Sequence, residues 1–255
     1  MLFLTVYGPE LESLFRYIYR YTLNEGLVTR EQLYSAYLPQ TTLSPRGQTK
    51  NIEDAVNYLK SAKLIEGDKG YASTIHSPEI NMPFNVLLLN QFRQLERIPS
   101  KLSLLDLLYV TLLEQLYIAP NQVWISDLHA AVNQLDLARQ IGGISQEKIG
   151  AWRRVMEFLG VGYRIGSGFY CLFQPEIVST IVQRWSAKEG TLQEFFEGHL
   201  QSWIPCLTAR GEIALPIAFT LEQLVREKRV HLTAKQDSPS RPYFGQRRLK
   251  GIEVL

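Results

Sequence analysis

Between Glu10 and Asn24 the apolar side chains fall at Leu11, Leu14, Phe15, Ile18 and Leu23, the three-and-four spacing of one helical face. Glu25-Gly26 ends that face. Thr29-Arg30-Glu31-Gln32 then reads as a capping box, which predicts a second, short helix to about Tyr37. Pro39 and the polar residues through Lys50 read as a loop. Asn51 reads as the cap of a third helix with Ile52, Ala55, Val56 and Leu59 inward. Leu64-Ile65-Glu66, the turn Gly67 to Gly70, and Tyr71-Ala72-Ser73 predict a two-stranded hairpin.

The same order returns. Ser103 to Tyr117 is apolar nearly all round, a helix expected to lie buried between units. Val123-Trp124-Ile125 leads to Ser126, read as the cap of a second helix, and Ser145 caps a third with Ile149, Trp152, Val155, Met156 and Leu159 inward. Val161 to Ile165, the tip Gly166-Ser167-Gly168, and Phe169 to Phe173 predict a hairpin. A third copy is read further on. Thr191-Leu192-Gln193-Glu194 opens a helix to about Ile204, and Thr220-Leu221-Glu222-Gln223 opens another to about Lys228. Val230 to Lys235 and Arg248 to Val254 then form a hairpin with a long tip. The second helix of this copy is unmarked.

Three helices followed by a hairpin resemble the winged-helix superfamily, in tandem over residues 8 to 75 and 102 to 175 and again toward the end. The expected class is mainly α with small β-hairpins (α+β). The expected units are 1–80, 81–188 (with the long buried helix) and 189–255, a helical and basic hairpin region. The resemblance implies that the third helix of each unit enters a major groove with the hairpin, or wing, against the backbone; it equally permits use against proteins.

Charge changes this picture locally. The whole chain is +2, which by itself points to no polyanion. From Arg226 to Lys250, however, Arg226, Lys228, Arg229, Lys235, Arg241, Arg247, Arg248 and Lys250 stand against Glu227 and Asp237, a net of 8 − 2 = +6. Tyr243 and Phe244 lie within it, placed to stack on a base. The alternative is a solvated basic segment or one ordered against a partner protein. In the second unit the outer face of the third helix is expected to hold Gly150, Ala151 and Arg154, with Arg153 beside it and Arg164 in the wing. Arginine suits guanine and phosphate; the alternative pairs Arg153 and Arg154 with Glu157. In the first unit that face carries Glu53, Asp54, Asn57 and Ser61, the wrong sign for phosphate. That unit reads as a protein-binding module, with Phe15, Tyr17, Tyr19 and Tyr21 as an aromatic surface.

Catalytic readings find no support. His76, His129, His199 and His231 show no metal-ligand spacing with one another or with Cys171 and Cys206. Gly160-Val161-Gly162 lacks the third glycine of a dinucleotide fingerprint and leads into a strand. No phosphate-binding loop and no G-x-S-x-G occur. No metal or other cofactor is expected. Two distant cysteines suit a reducing compartment, the start lacks the marks of a signal peptide, and no apolar run spans a bilayer. The expectation is a cytoplasmic, non-enzymatic protein that binds duplex DNA through the second unit and the basic C-terminal segment. It would serve as a transcription regulator, an initiator or a subunit of an antiviral-defence or mobile-element complex. The rival expectation is a protein–protein assembly subunit with little affinity for nucleic acid. Self-association through the apolar helix after Ser103 is a further option.

Overall fold

The computed structural model describes residues 1–24, 26–38, 45–75, 81–233, 241–243 and 247–255, with backbone alone at 45–48, 241–242 and 247–248. The class is mixed α+β, mainly helical with small antiparallel sheets. Helix α1 (Gly8–Asn24) leads through β1 (Val28–Thr29) to α2 (Arg30–Tyr37), α3 (Pro45–Ser61), β2 (Ile65–Glu66) and β3 (Gly70–Ser73). After α4 (Phe84–Glu96) come α5 (Leu104–Leu113), a π turn (Glu114–Ile118), β4 (Trp124–Ile125), α6 (Leu128–Asn133), α7 (Asp136–Gln140), α8 (Gln146–Phe158), β5 (Gly162–Ile165) and β6 (Gly168–Cys171). Then follow α9 (Pro175–Gln183), β7 (Glu189–Thr191), α10 (Leu192–Phe196), α11 (Leu215–Arg226), β8 (Val230–Thr233), β9 (Arg241–Tyr243), β10 (Arg247–Leu249) and β11 (Gly251–Val254).

The three three-stranded sheets are built alike. Their orders are β1-β3-β2, β4-β6-β5 and β7-β11-β8, so the last strand always lies in the middle. Each sheet follows a helix that ends on a left-handed residue, at Lys63, Gly160 and Lys228. The hydrogen bonds there repeat. Leu64 N donates to Leu59 O, Val161 N to Met156 O, and Arg229 N to Leu224 O, each at 3.0–3.1 Å. Across the hairpin, Thr74 N donates to Leu64 O, Leu172 N to Val161 O, and Leu255 N to Arg229 O. Left-handed Gly26, Asn121 and Lys188 precede the three first strands. The third sheet also carries a small second hairpin, β9–β10, between β8 and β11.

Several boundaries differ from the sequence reading. Asn51 lies inside α3, and the loop expected from Pro39 through Lys50 is helical from Pro45 on, because a proline's fixed backbone angle suits the first turn of a helix; its part at 39–44 lies outside the described residues. Asp127, not Ser126, caps α6: its carboxylate accepts from Ala130 N at 3.0 Å, while Ser126 O is taken by Ser167 Oγ at 2.8 Å. Thr220 caps nothing. It is buried within α11, which opens at Leu215-Pro216, and its hydroxyl donates to Phe173 O (2.8 Å) and Pro216 O (3.1 Å). The helix opened by Thr191 stops at Phe196. The capping boxes at Thr29 and Thr191 are both closed, and Ser145 caps α8.

The core is continuous across the sheets. Gly8 of α1 packs so closely on α8 that a Cβ there would stand 1.9 Å from the Phe158 ring. The Tyr58 and Tyr109 hydroxyls, both buried, share a 2.7 Å hydrogen bond between α3 and α5. Arg93 of α4 binds Glu96 and reaches Glu114 Oε2 in the π turn (2.7 Å) and Gln201 O (2.9 Å). Among the described residues no helix is long and apolar enough to cross a membrane.

Candidate functional site

The arginines of the second unit do gather, but not as a free reading face. Arg153 occupies the place held by buried Val56 in the first unit and buried Leu221 in the third, counted back from the left-handed caps. Its Nη1 donates to Gly166 O (2.9 Å) and Gly168 O (3.2 Å), fastening the tip of the β5–β6 hairpin. Burial, then the nearby Arg164 and Arg154, lower its pKa. Its Nε is buried without a partner, as is that of Arg154. Arg164 of β5 pairs with Glu157, so the carboxylate expected to neutralise the helix arginines serves the hairpin instead. Ala151, expected outside, is buried, and no residue of α8 from Lys148 onward is fully exposed. At the C-terminal end of α8, Phe158 lies against Gly8 of α1.

The C-terminal cations divide. Arg226, Lys228 and Arg229 are exposed where α11 turns into β8, with Arg229 Nε 3.2 Å from Glu227. Arg241, Arg247 and Arg248 lie on the paired backbones of β9 and β10, where Arg248 stands opposite Pro242 and Arg247 opposite Tyr243. Lys250 joins β10 to β11 and its amide donates to Thr233 O. Tyr243 is no stacking platform: it is buried and its hydroxyl donates to Ala218 O on α11 at 3.1 Å. Lys235 and Phe244 lie outside the described residues.

The expected aromatic surface of α1 is half core. Phe15 and Tyr19 are buried, while Tyr17 and Tyr21 are half-buried, with Tyr17 edge-on to Tyr37. On α3 the acidic Glu53 accepts from the Tyr34 hydroxyl at 2.5 Å; burial first, and this carboxylate second, raise the phenol to about 12.

What sequence reading missed is the outer face of the second sheet. Trp124, Tyr170 and Tyr163 are direct neighbours across β4, β6 and β5, and cross-strand neighbours share a face. Trp124 is 39% exposed, Tyr163 46% and Ile165, next outward on β5, 57%. The opposite face is core, with Phe169 and Cys171 buried against α8 and its neighbours. The equivalent row in the third sheet is Glu189, Glu253 and His231. In the first sheet Glu66 stands opposite Ala72. The fold thus tolerates charge at these positions, and the aromatic row is not needed to build the sheet.

No family model, no curated protein and no solved structure matches this chain.

Other chemistry is muted. His129 Nε2 lies 2.9 Å from Ile144 O and His199 Nε2 2.7 Å from Ile181 O, each satisfied by a backbone carbonyl. Burial lowers the His199 pKa and pushes the Cys171 thiol well up, away from thiolate. Among the described residues no three of His, Cys, Asp or Glu gather as metal ligands.

Proposed function

We propose that the chain is a non-enzymatic assembly subunit of tandem winged-helix units that holds a partner protein on the outer face of its second sheet. The observation that carries this reading is the row of exposed Trp124, half-buried Tyr170 and exposed Tyr163 with exposed Ile165, aromatic in one sheet where the third carries Glu189, Glu253 and His231. Apolar surface that folding does not require marks a contact. The winged-helix reading itself is supported by the repeated element order and by the shared first-last-middle strand order. A winged helix that reads DNA offers a basic third helix to the groove. Here the described side chains of α3 set Glu53 and Asp54 against Lys50 and Lys60, with no net positive charge, the C-terminal end of α8 lies against Gly8 of α1, and α11 meets the buried Tyr243 and exposes Phe219.

Trp124→Glu tests this, because it installs the residue type that the third sheet carries at Glu189. Tagged protein recovered from its source cells after nuclease treatment is expected to keep its partner, and the variant to recover at least ~10-fold less with an unchanged circular dichroism spectrum. Equal recovery sinks the reading.

A second reading, duplex DNA held through its backbone, is favoured by Arg226 and Lys228, which make no ion pair among the described residues, and by the gathering of Arg241, Arg247, Arg248 and Lys250 on one hairpin. Binding of a random-sequence duplex should then fall steeply with salt, losing on the order of 10³ between 50 and 200 mM if about six phosphates are neutralised. Absence of binding at low salt removes it.

A further inference from the structure

Where α8 meets the β5–β6 hairpin, three arginines share one carboxylate. Arg164 holds Glu157. Arg153 gives Nη1 to the carbonyls of Gly166 and Gly168, which carry no charge. Arg154 makes no hydrogen bond and no ion pair among the described residues. Its guanidinium folds back along the helix, since a Cβ at Gly150 would stand 3.9 Å from Nη1. The group therefore sums to 3 − 1 = +2, and the charges feel one another, as the lowered pKa of Arg153 shows. At the start of α8, Glu147 and Lys148 offset each other.

Two donors in this group are orphaned: the Nε of Arg153 and that of Arg154 are both buried without an acceptor. Desolvating part of a cation with no acceptor is costly, and the fold does not require it. Counted back from the left-handed caps, the same two positions hold Val56 and Asn57 before the first sheet, and Leu221 and Glu222 before the third. Only the Nε atoms are sealed. Nη2 of Arg153 and both Nη of Arg154 reach the surface without a partner, and the Arg164 side chain is 41% exposed.

From this cluster we infer that α8 and the β5–β6 hairpin hold a phosphomonoester, the terminal phosphate of a phosphorylated protein side chain or of a small molecule. The charge selects this class. A phosphomonoester carries about −1.5 to −2 near neutral pH, which matches +2, whereas each phosphodiester of a nucleic-acid backbone carries a single charge and would leave a cation over. Its three terminal oxygens suit three planar forks, each able to donate twice. Gly150 lets such a group approach the helix without meeting a side chain. Glu157 holds Arg164 in place, and because guanidinium does not lose its proton in proteins, the site keeps its charge across physiological pH.

This goes beyond the assembly reading. Arg164 stands opposite Phe169, on the inner side of the sheet, while Trp124 stands opposite Tyr170 on the outer side. Arginine Nε–H resonances of the purified chain report on the site directly. Inorganic phosphate at about pH 7.5 should move those of Arg153 and Arg154 saturably, with a Kd on the order of 0.1–1 mM. Dimethyl phosphate, a monoanion with two oxygens blocked, should bind at least ~10-fold more weakly. Arg154→Gln replaces a residue whose equivalents are Asn57 and Glu222, so it should fold alike by circular dichroism and lose ~10-fold or more of the phosphate affinity. Arg164→Gln, on an exposed strand residue, should lose a similar amount. Lys69→Gln, at the exposed tip of the first hairpin, should bind as the wild type does. A phosphoserine tripeptide identifies the source: tighter binding than inorganic phosphate assigns the site to a phosphorylated protein, weaker binding to a small phosphate, and either ranking sustains the dianion site. Four results overturn the inference: no saturable shift up to ~20 mM phosphate, equal binding of dimethyl phosphate, full affinity in both arginine variants, or displacement of phosphate from Arg154 by a duplex without terminal phosphates. None of them bears on whether Trp124 holds a partner.

Discussion

At the scale of single residues, the three three-stranded sheets and the helices before them act as one another's controls. Arg153 has a helical position that takes buried Val56 and Leu221 elsewhere, so its half-burial belongs to the fold, and only its tether to Gly166 and Gly168 is particular to this helix. Glu96 is a second residue whose setting decides its behaviour. Its carboxyl, half-buried beside Arg93 and Glu114, is pushed up to about 7, first by burial and then by the neighbouring Glu114 carboxylate, against the pull of Arg93. The folded chain therefore holds a proton that the unfolded chain, near 4.5, releases. This stabilisation is complete below the unfolded value and is lost as pH rises through the folded one. Between about pH 5 and pH 7.5 the wild type should lose on the order of 1–3 kcal/mol more unfolding free energy than Glu96→Gln. Urea titrations at the two pH values measure it, and parallel losses in both proteins would refute the assignment.

At the scale of elements, Gly8 fixes how α1 lies on α8. Gly8→Ala must displace the Phe158 ring from a site where no methyl fits. It should cost about 1–3 kcal/mol by overpacking and, by lifting α1, speed amide exchange along α8; an unchanged denaturation midpoint would show that the contact is slack. Which elements were legible follows from how local their signals are. Thr29, Thr191 and Ser145 announce their helices because a cap needs only the next few residues. Asn51 and Thr220 misled because a proline upstream had already opened each helix. Helix α4 was invisible. It is apolar on most sides, as Val86 to Leu89 are all buried, and it begins at Pro83 with no side-chain cap. The site was half legible for a similar reason. Val123-Trp124-Ile125 and Gly162 to Ile165 mark strands, but which alternate set faces outward depends on α8, whose packing is tertiary. Tyr243 looked available because nothing local reveals the Ala218 carbonyl that receives it.

At the scale of the whole molecule, the helices are joined by polar contacts as well as by apolar ones. The Tyr58–Tyr109 pair ties α3 to α5, and Arg93 ties α4 to the π turn and to Gln201 beyond β7. Burial pushes both phenols well up, so this hydroxyl pair stays neutral across the pH range in which proteins live. Such junctions explain why the exposed faces differ so much while the frames agree: each sheet has one face committed to the shared core and one left to vary. The strand order they share has another consequence, for the growing chain on the ribosome. In every unit the two outer strands are made first and the middle strand last. Until that last strand emerges, its neighbours have no ladder to join, so each sheet closes in a single late step, and a nascent chain halted inside a hairpin carries two orphaned edges at once.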